Sequence, residues 1–153
     1  MARLRALVVL VALLGIAGLG ARCDRVVANV RSFGAVGDGV TNDAPAFQAA
    51  EGYLGQRGGG ILHIPCGDYR LGETGPGGFY SGLRIRHSNI RVRGEGDCST
   101  LLPGFDWGGT VIVACKDDTA NCNNLHFEDF RIYDDDPIGH CPVSYTHLTL
   151  PTS

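Results

Sequence analysis

Short runs of alternating apolar and polar residues recur through the second half of the chain. They lie at residues 83–86, 90–93, 110–113, 125–127 and 130–133, and Gly, Asn, Asp or Ser bounds each run. A period of two predicts half-buried strands, and the bounding residues predict turns. No second helical pattern separates the runs, which disfavours a doubly wound α/β fold, because its parallel strands are joined by helices. A parallel β-helix and a β-sandwich remain.

One amphipathic helix is predicted before these strands. Asp43 can cap its first turn, where Pro45 is tolerated. Phe47, Ala50 and Leu54 then fall on one face at helical spacing, and the glycine-rich run 55–60 ends the helix. Because the helix is short and only modestly apolar, we expect it to cover an open end of the fold.

Two stretches resemble the N-terminal signature of the pectate-lyase-like superfamily of β-helix proteins. Residues 29–50 read NVRSFGAVGDGVTNDAPAFQAA, and residues 58–72 read GGGILHIPCGDYRLG. Residues 93–102, RGEGDCSTLL, resemble a further coil of that family. The resemblance implies an all-β, right-handed parallel β-helix, of which the chain holds the N-terminal cap helix and the first coils only.

In a β-helix, each coil buries one face of its strands against the next coil. The residues expected to point inward are apolar and alternate along the predicted strands. They are Leu83, Ile85, Ile90, Val92, Leu101, Val111, Val113, Leu125, Phe127, Phe130 and Ile132.

The two ends of the chain differ from its middle. Arg3 and Arg5 precede an apolar run and the small residues Gly20 and Ala21, so residues 1–21 are expected to be a signal peptide, with an uncleaved anchor as the alternative. We therefore expect a secreted or periplasmic protein. Residues 143–152 match a reading frame of a sequencing adapter, and 143–153 are expected to be a non-native tail. Residues 22–142 would then be the N-terminal part of a longer β-helix domain.

Six cysteines behind a signal peptide indicate an oxidising compartment. Cys115 and Cys122 flank a polar turn and are expected to form a local disulfide. Cys66 and Cys98 both follow strand ends and are the candidates for a pair across coils. No Cys-x-x-Cys pair occurs, so a zinc site is disfavoured and no metal ligand is assigned.

Four arginines are the candidate substrate-binding residues. Arg84, Arg86, Arg91 and Arg93 alternate outward on two runs that we expect to be adjacent strands. Arginine pairs bidentately with carboxylates, so such a ladder would suit a polyuronate. The alternative is an ordinary solvated strand face, since half-exposed strands commonly alternate apolar and charged residues.

Other polar residues carry weaker indications. The acidic run 134–136 and His140 could bind Ca²⁺ or act as an acid and base, but we favour an acidic turn, because Asp-rich strand ends are ordinary turn chemistry. Trp107 and Tyr80 could stack on sugar rings. His63 is expected to face outward as an inert surface residue, because no partner is visible near it in the sequence. The family's catalytic motifs are absent here, so no catalytic residue is assigned.

The resemblance implies the N-terminal part of a secreted carbohydrate-active protein. It would be a polysaccharide lyase or glycoside hydrolase acting on a pectin-like or other polysaccharide; the alternative is a non-catalytic glycan-binding, adhesin or tailspike-like module. The chain itself is expected to be inactive, since the family places its catalytic residues on later coils. No cofactor is expected, apart from Ca²⁺ in a lyase. A net charge of −3 suggests neither nucleic acid nor a membrane surface as a partner.

Overall fold

A computed structural model of the chain describes residues 25–72, 81–104, 110–114, 122–133 and 143–149. The helices in these ranges are a 3₁₀ turn at Val30–Phe33 and α1 at Ala44–Gly55. The strands are β1 Val27–Asn29, β2 Asp38–Asn42, β3 Gly60–His63, β4 Gly67–Leu71, β5 Ser81–Ile85, β6 Ile90–Arg93, β7 Ser99–Pro103, β8 Thr110–Ala114, β9 His126–Ile132 and β10 Val143–Thr149.

The strands wind around three faces. β1, β3, β6 and the first half of β9 pair in that order on the first face. β2, β4, β7 and the second half of β9 pair on the second face, and β5 pairs with β8 on the third. All these pairings are parallel, and successive strands of one coil lie on successive faces. The all-β parallel β-helix predicted from the sequence is confirmed.

β9 turns the corner between the first two faces within a single strand. Its residue Asp129 has a φ of 58°, and the strand pairs with β6 before this point and with β7 after it. The sequence suggested two strands here. Beyond them, β10 pairs antiparallel with β9, with Val143 opposite Ile132 and Thr149 opposite His126. The expectation that residues 143–153 are non-native stays a prediction.

The core consists of apolar side chains stacked between coils. In the first two faces, the register aligns Leu62 with Val92 and Phe127, and Tyr69 with Leu101 and Ile132. Burying each such side chain contributes about 1.5–3 kcal/mol. The residues predicted to point inward are buried or pack against this core, with the exception of Val113.

Val113 was expected to point inward, and the structure shows this to be wrong. In the register of β5 and β8, Ile112 lies beside Leu83 and Ala114 beside Ile85, whereas Val113 lies beside Arg84. Neighbouring side chains in a parallel pair point the same way, so Ile112 and Ala114 pack against the core instead. Residues 111–113 are all apolar, and alternation alone could not choose between the two phases.

Helix α1 closes the first end of the core, as predicted. Phe47, Ala50 and Leu54 are buried, and the Phe47 ring meets the Tyr69 ring edge-on with centroids 5.4 Å apart. The helix follows β2, in the place along the coil that β5 takes after β4. It therefore substitutes for a strand on the third face. Among the described residues, no helix is long and apolar enough to cross a lipid bilayer.

Asp43 stands at the N-cap position, but its side chain makes no capping hydrogen bond. Its carboxylate accepts instead from the backbone N–H groups of Val36 and Gly37, at 2.7 and 3.0 Å. Asn42 serves the helix start, since its Oδ1 accepts from Ala44 N at 3.2 Å. The buried Asp43 thus fixes the glycine-rich loop against α1, a role that its position in the sequence did not indicate.

Candidate functional site

The outward side of the first face carries two rows of polar side chains. The parallel register aligns His63 of β3 with Arg93 of β6 and Glu128 of β9. The neighbouring row contains Arg91 of β6 and His126 of β9. These five residues alternate with the buried Leu62, Val92 and Phe127, so the period of two that builds the core also builds this surface. We call these five residues the charged face.

His63 has a partner that the sequence did not reveal. Its Nε2 lies 3.1 Å from Glu95 Oε1, which makes an ion pair when the imidazole is protonated. The other oxygen of Glu95 accepts from Cys66 N at 3.0 Å. The expectation of an inert, unpartnered His63 is therefore wrong about its surroundings. Glu95 lies in the turn after β6, 32 residues along the chain, and only the winding of the coil brings the two together.

A disulfide holds the turn that carries Glu95. Cys66 and Cys98 are bonded, with their Cα atoms 4.7 Å apart, and this is the pair proposed from the sequence. The Sγ atoms and a Glu95 carboxylate oxygen lie within 4.8 Å of one another. Thiolates are the metal-binding form of cysteine, so the bonded pair does not offer a metal site here.

Arg91 and Arg131 are only partly paired. Arg91 Nη1 lies 3.4 Å from Glu128 Oε1, and Arg131 Nη2 donates to Thr100 Oγ1 at 3.3 Å. In both side chains, Nε is buried and has no hydrogen-bond partner among the described residues. Within the charged face, Arg91 therefore combines a long ion pair with one buried donor that the described residues leave unpaired.

An asparagine stack forms the corner before the charged face. Asn89 and Asn124 have φ values of 62° and 58°, a conformation that asparagine adopts more readily than most residues. Asn124 Nδ2 donates to Asn89 Oδ1 at 3.1 Å, and Asn89 Nδ2 donates to Gly58 O at 3.3 Å. His126 Nε2 lies 2.9 Å from Asn124 Oδ1. An amide oxygen only accepts, so His126 donates through Nε2 in this contact.

The four arginines proposed as one ladder do not lie on adjacent strands. Arg84 lies in β5 on the third face, where β5 pairs with β8, and Arg86 lies just after the end of β5, in the corner that follows it. Arg91 and Arg93 belong to the first face, where β6 pairs with β3 and β9. The corner at residues 86–89 separates β5 from β6, and the turn residues predicted there did not indicate that the two strands lie on different faces. Whether either pair binds a sugar stays a prediction.

Several sequence candidates lie outside the described residues. They are residues 1–21, Tyr80, Trp107, Cys115, the acidic run 134–136 and His140. Cys122 is disulfide-bonded, and Cys66 and Cys98 are bonded to each other, so the partner of Cys122 also lies outside the described residues. The pair Cys115–Cys122 stays a prediction.

Two ionisable side chains near α1 have shifted pKa values. The hydrogen bond from Arg31 Nε to Tyr69 Oη, at 3.1 Å, raises the pKa of Arg31. Backbone N–H groups of Thr41 and Val40, together with the Thr41 hydroxyl, lower the pKa of Asp38. Both groups stabilise turns of the first coil, and neither is part of the charged face.

No family model matches the chain. Mannuronan C5-epimerase AlgE2 of Azotobacter vinelandii is 40% identical over 100 residues, which cover 61% of the chain and 10% of that protein. Alginate lyase 7 of the same organism is 37% identical over 109 residues, which cover 69% of the chain and 12% of that protein. The chain spans between 5% and 17% of the length of the curated relatives it matches.

A solved structure supports the fold. The A-module of A. vinelandii mannuronan C-5 epimerase AlgE4 matches with a TM-score of 0.55 and 21% identity, over 70% of the chain and 28% of that structure. At this identity the likeness shows the fold alone. The chain is therefore a parallel β-helix whose sequence is similar to short parts of proteins named as acting on mannuronan and alginate.

Proposed function

We propose that the chain is the N-terminal part of a carbohydrate-active β-helix protein that acts on a polyuronate. The observation that carries this proposal is the 33–40% identity to mannuronan C5-epimerases and an alginate lyase. The names of these relatives all refer to polymers of uronic acids. The family resemblance in the sequence had suggested a pectin-like substrate. A pectin-type polymer therefore serves as the comparison in the binding test below.

The charged face supports an acidic substrate. Each uronate residue carries a carboxylate. Arg91 and Arg93 of β6 contribute one guanidinium group to each of the two polar rows of this face. Guanidinium groups form charge-assisted, often bidentate, hydrogen bonds with carboxylates. Successive strands of a face are about 4.8 Å apart, so the face offers polar groups at regular intervals along the helix axis.

The relatives' names favour epimerase or lyase chemistry over hydrolysis. Changing the configuration at C5 requires loss of the hydrogen beside the carboxylate, and a cation near the carboxylate stabilises the charge that develops. Among the described residues, His63 of the charged face lies beside Glu95, which belongs to the turn after β6. No catalytic role is assigned to it, because a glycan-binding module would use the same surface without a reaction.

A non-catalytic polyuronate-binding module is the second candidate. Arg91, Arg93 and the asparagine corner supply cationic and amide groups, which suffice for binding. This candidate and the first share the ligand class and differ in turnover, so one pair of assays separates them.

We also propose that the protein is exported, on the basis of the N-terminal sequence pattern. The disulfide between Cys66 and Cys98 supports an oxidising compartment. N-terminal sequencing of protein recovered from periplasm or medium is expected to begin near residues 21–23. Cytosolic material that begins at Met1 would contradict export.

The test of the ligand class is affinity electrophoresis of the full chain. We expect retardation in gels that contain polymannuronate, less retardation with polygalacturonate, and none with neutral β-mannan. Equal mobility in all three gels would overturn the proposal. The same protein is then incubated with polymannuronate, and unsaturated products and C5 epimers are measured; we expect binding without turnover. Turnover would show that the reacting groups lie within this chain.

A further inference from the structure

A cavity of about 300 Å³ lies at the corner between the end of α1 and the first face. Six polar residues that line it form what we call the basic pocket: Arg25, Arg57, Asn89, Arg91, Asn124 and His126. The volume is at the lower end of the range of about 300–1,000 Å³ that is typical of small-ligand sites. It would therefore suit a single sugar residue better than a long stretch of chain.

The backbone at the end of α1 leaves this space open. Gly58, Gly59 and Gly60 have φ values of 80°, 119° and 153°, and they line the cavity without side chains. A Cβ on Gly59 would lie 2.4 Å from the carbonyl oxygen of Asn89, and one on Gly60 would lie 2.4 Å from that of Val26. Gly59 approaches the next coil at Asn89 and Gly60 approaches the residue before β1, Val26, so both positions require glycine.

The pocket is cationic. Three arginines border it, and no Asp or Glu of the described chain is part of its lining. One of these arginines is paired with an acid outside the lining, since Glu128 Oε1 lies 3.4 Å from Arg91 Nη1. Asn89, Asn124 and His126 add polar groups that are held in place by the asparagine stack.

Arg57 is held in a fixed orientation. Its Cζ lies 3.6 Å from the centroid of the Tyr53 ring, and Nη1 donates to Tyr53 O at 3.2 Å. A guanidinium has five N–H donors, so this arrangement fixes the group while leaving donors for a ligand. Arg25, in contrast, is exposed, and its side chain has no ion-pair or hydrogen-bond partner among the described residues.

We propose that the basic pocket binds the carboxylate of one uronate residue of an acidic polysaccharide, as a subsite at the cap end of the charged face. Guanidinium groups select carboxylates, and the amide groups of the asparagine stack can bind sugar hydroxyls. This inference rests on the proposed function, because it takes the same polymer as ligand. Beyond the proposed function, it locates one binding subsite on the chain and names the residues that would bind the sugar.

The test is isothermal titration of the full chain with a mannuronate tetrasaccharide. β-1,4-Mannotetraose serves as the neutral probe, since it has the same sugar backbone without carboxylates. Arg57→Gln and Arg25→Gln are each expected to weaken uronate binding about tenfold, the effect of losing one charge-assisted contact. Arg70→Gln removes the same charge from β4, outside the pocket, and is expected to change affinity less than twofold.

The outcomes separate the two proposals. If the wild-type chain binds the uronate and both pocket variants match Arg70→Gln, the subsite is overturned and the proposed function stands. If the wild-type chain binds neither probe, both proposals fall. Equal affinity for the neutral probe would overturn recognition of the carboxylate. Arg25→Gln changes an exposed side chain, so a loss of binding in this variant cannot be attributed to unfolding, and far-ultraviolet circular dichroism checks Arg57→Gln.

Discussion

The side-chain amide of Gln48 in α1 pairs with both backbone groups of Arg84 in β5. Gln48 Nε2 donates to Arg84 O at 3.0 Å, and Arg84 N donates to Gln48 Oε1 at 3.2 Å. A neighbouring strand would satisfy the same two groups through its own backbone. One turn later, Glu51 Oε1 accepts from Arg86 N and His87 N, at 2.8 and 3.2 Å. Helix α1 therefore covers the edge of β5 with side chains, which protects that edge from pairing with other chains.

Gln48→Ala is expected to destabilise the fold. The substitution removes the two hydrogen bonds that Gln48 makes with the partly buried N–H and C=O of Arg84. We expect the free energy of unfolding to fall by about 1–3 kcal/mol in equilibrium urea denaturation. Gln56→Ala, at an exposed position just after α1, is the matched control and is expected to change stability by less than about 0.5 kcal/mol. Equal stability of the two variants would contradict the edge-covering role.

Asn124 is expected to tolerate glycine better than alanine. Its φ of 58° is unfavourable for alanine by about 1–2 kcal/mol, whereas glycine adopts it without strain. Both variants lose the hydrogen bonds to Asn89 and His126, so their difference isolates the backbone term. Urea denaturation should therefore rank wild type above Asn124→Gly and Asn124→Gly above Asn124→Ala. An alanine variant as stable as the glycine variant would be inconsistent with the left-handed corner.

Asp38 is expected to stabilise the first coil in a pH-dependent way. N–H groups of Thr41 and Val40 bind its ionised carboxylate and lower its pKa in the folded state. The stabilisation is therefore present above the unfolded-state pKa of about 3.9 and is lost as the pH falls through the folded-state value. An NMR titration of the Asp38 carboxyl carbon should give a midpoint below 3.9. Asp38→Asn should remove this contribution to the fall in the free energy of unfolding at acid pH. An NMR midpoint at or above 3.9 would contradict the lowered pKa of Asp38.

Peptide mapping under non-reducing conditions should recover two linked peptide pairs. One links Cys66 to Cys98, the disulfide that the structure contains. The other is expected to link Cys122 to Cys115, the pair proposed from the sequence. Removing the Cys66–Cys98 disulfide, with a sequence separation of 32, is expected to cost about 2–5 kcal/mol. A Cys122 peptide linked to Cys23 or Cys141 would reject the local pair.

Local patterns predicted the strands, the turns and the one helix, whereas the choice of a parallel β-helix over a β-sandwich rested on the resemblance to the pectate-lyase-like superfamily. The strand alternation, the helix face of Phe47, Ala50 and Leu54, and the glycine run that ends α1 all have their origin within a few residues, and the structure agrees with each of them. The same alternation predicted which residues point inward. It failed at Val111–Val113, because consecutive apolar residues there allow either set of alternate positions to point inward. In that case the register against β5 decides, and a register is a property of two strands.

The site was less predictable, because its residues meet only through the winding of the coil. His63 and Glu95 are far apart in sequence and lie 3.1 Å apart in space. The arginines of β5 and β6 are close in sequence but lie on different faces. Asn89 and Asn124 were visible only as turn residues. Their spacing of 35, together with the glycines at the end of α1, is the signal that could have indicated a stacked corner.

The central claim is that the charged face contacts an acidic polysaccharide, and an amide-shift titration of ¹⁵N-labelled chain with a mannuronate tetrasaccharide tests it most directly. We predict saturable shifts at His63, Arg93 and His126, with little change at Gln48 and Leu83, and no comparable shifts with β-1,4-mannotetraose. Shifts confined to β5 and β8, or the same shifts with the neutral sugar, would contradict the claim.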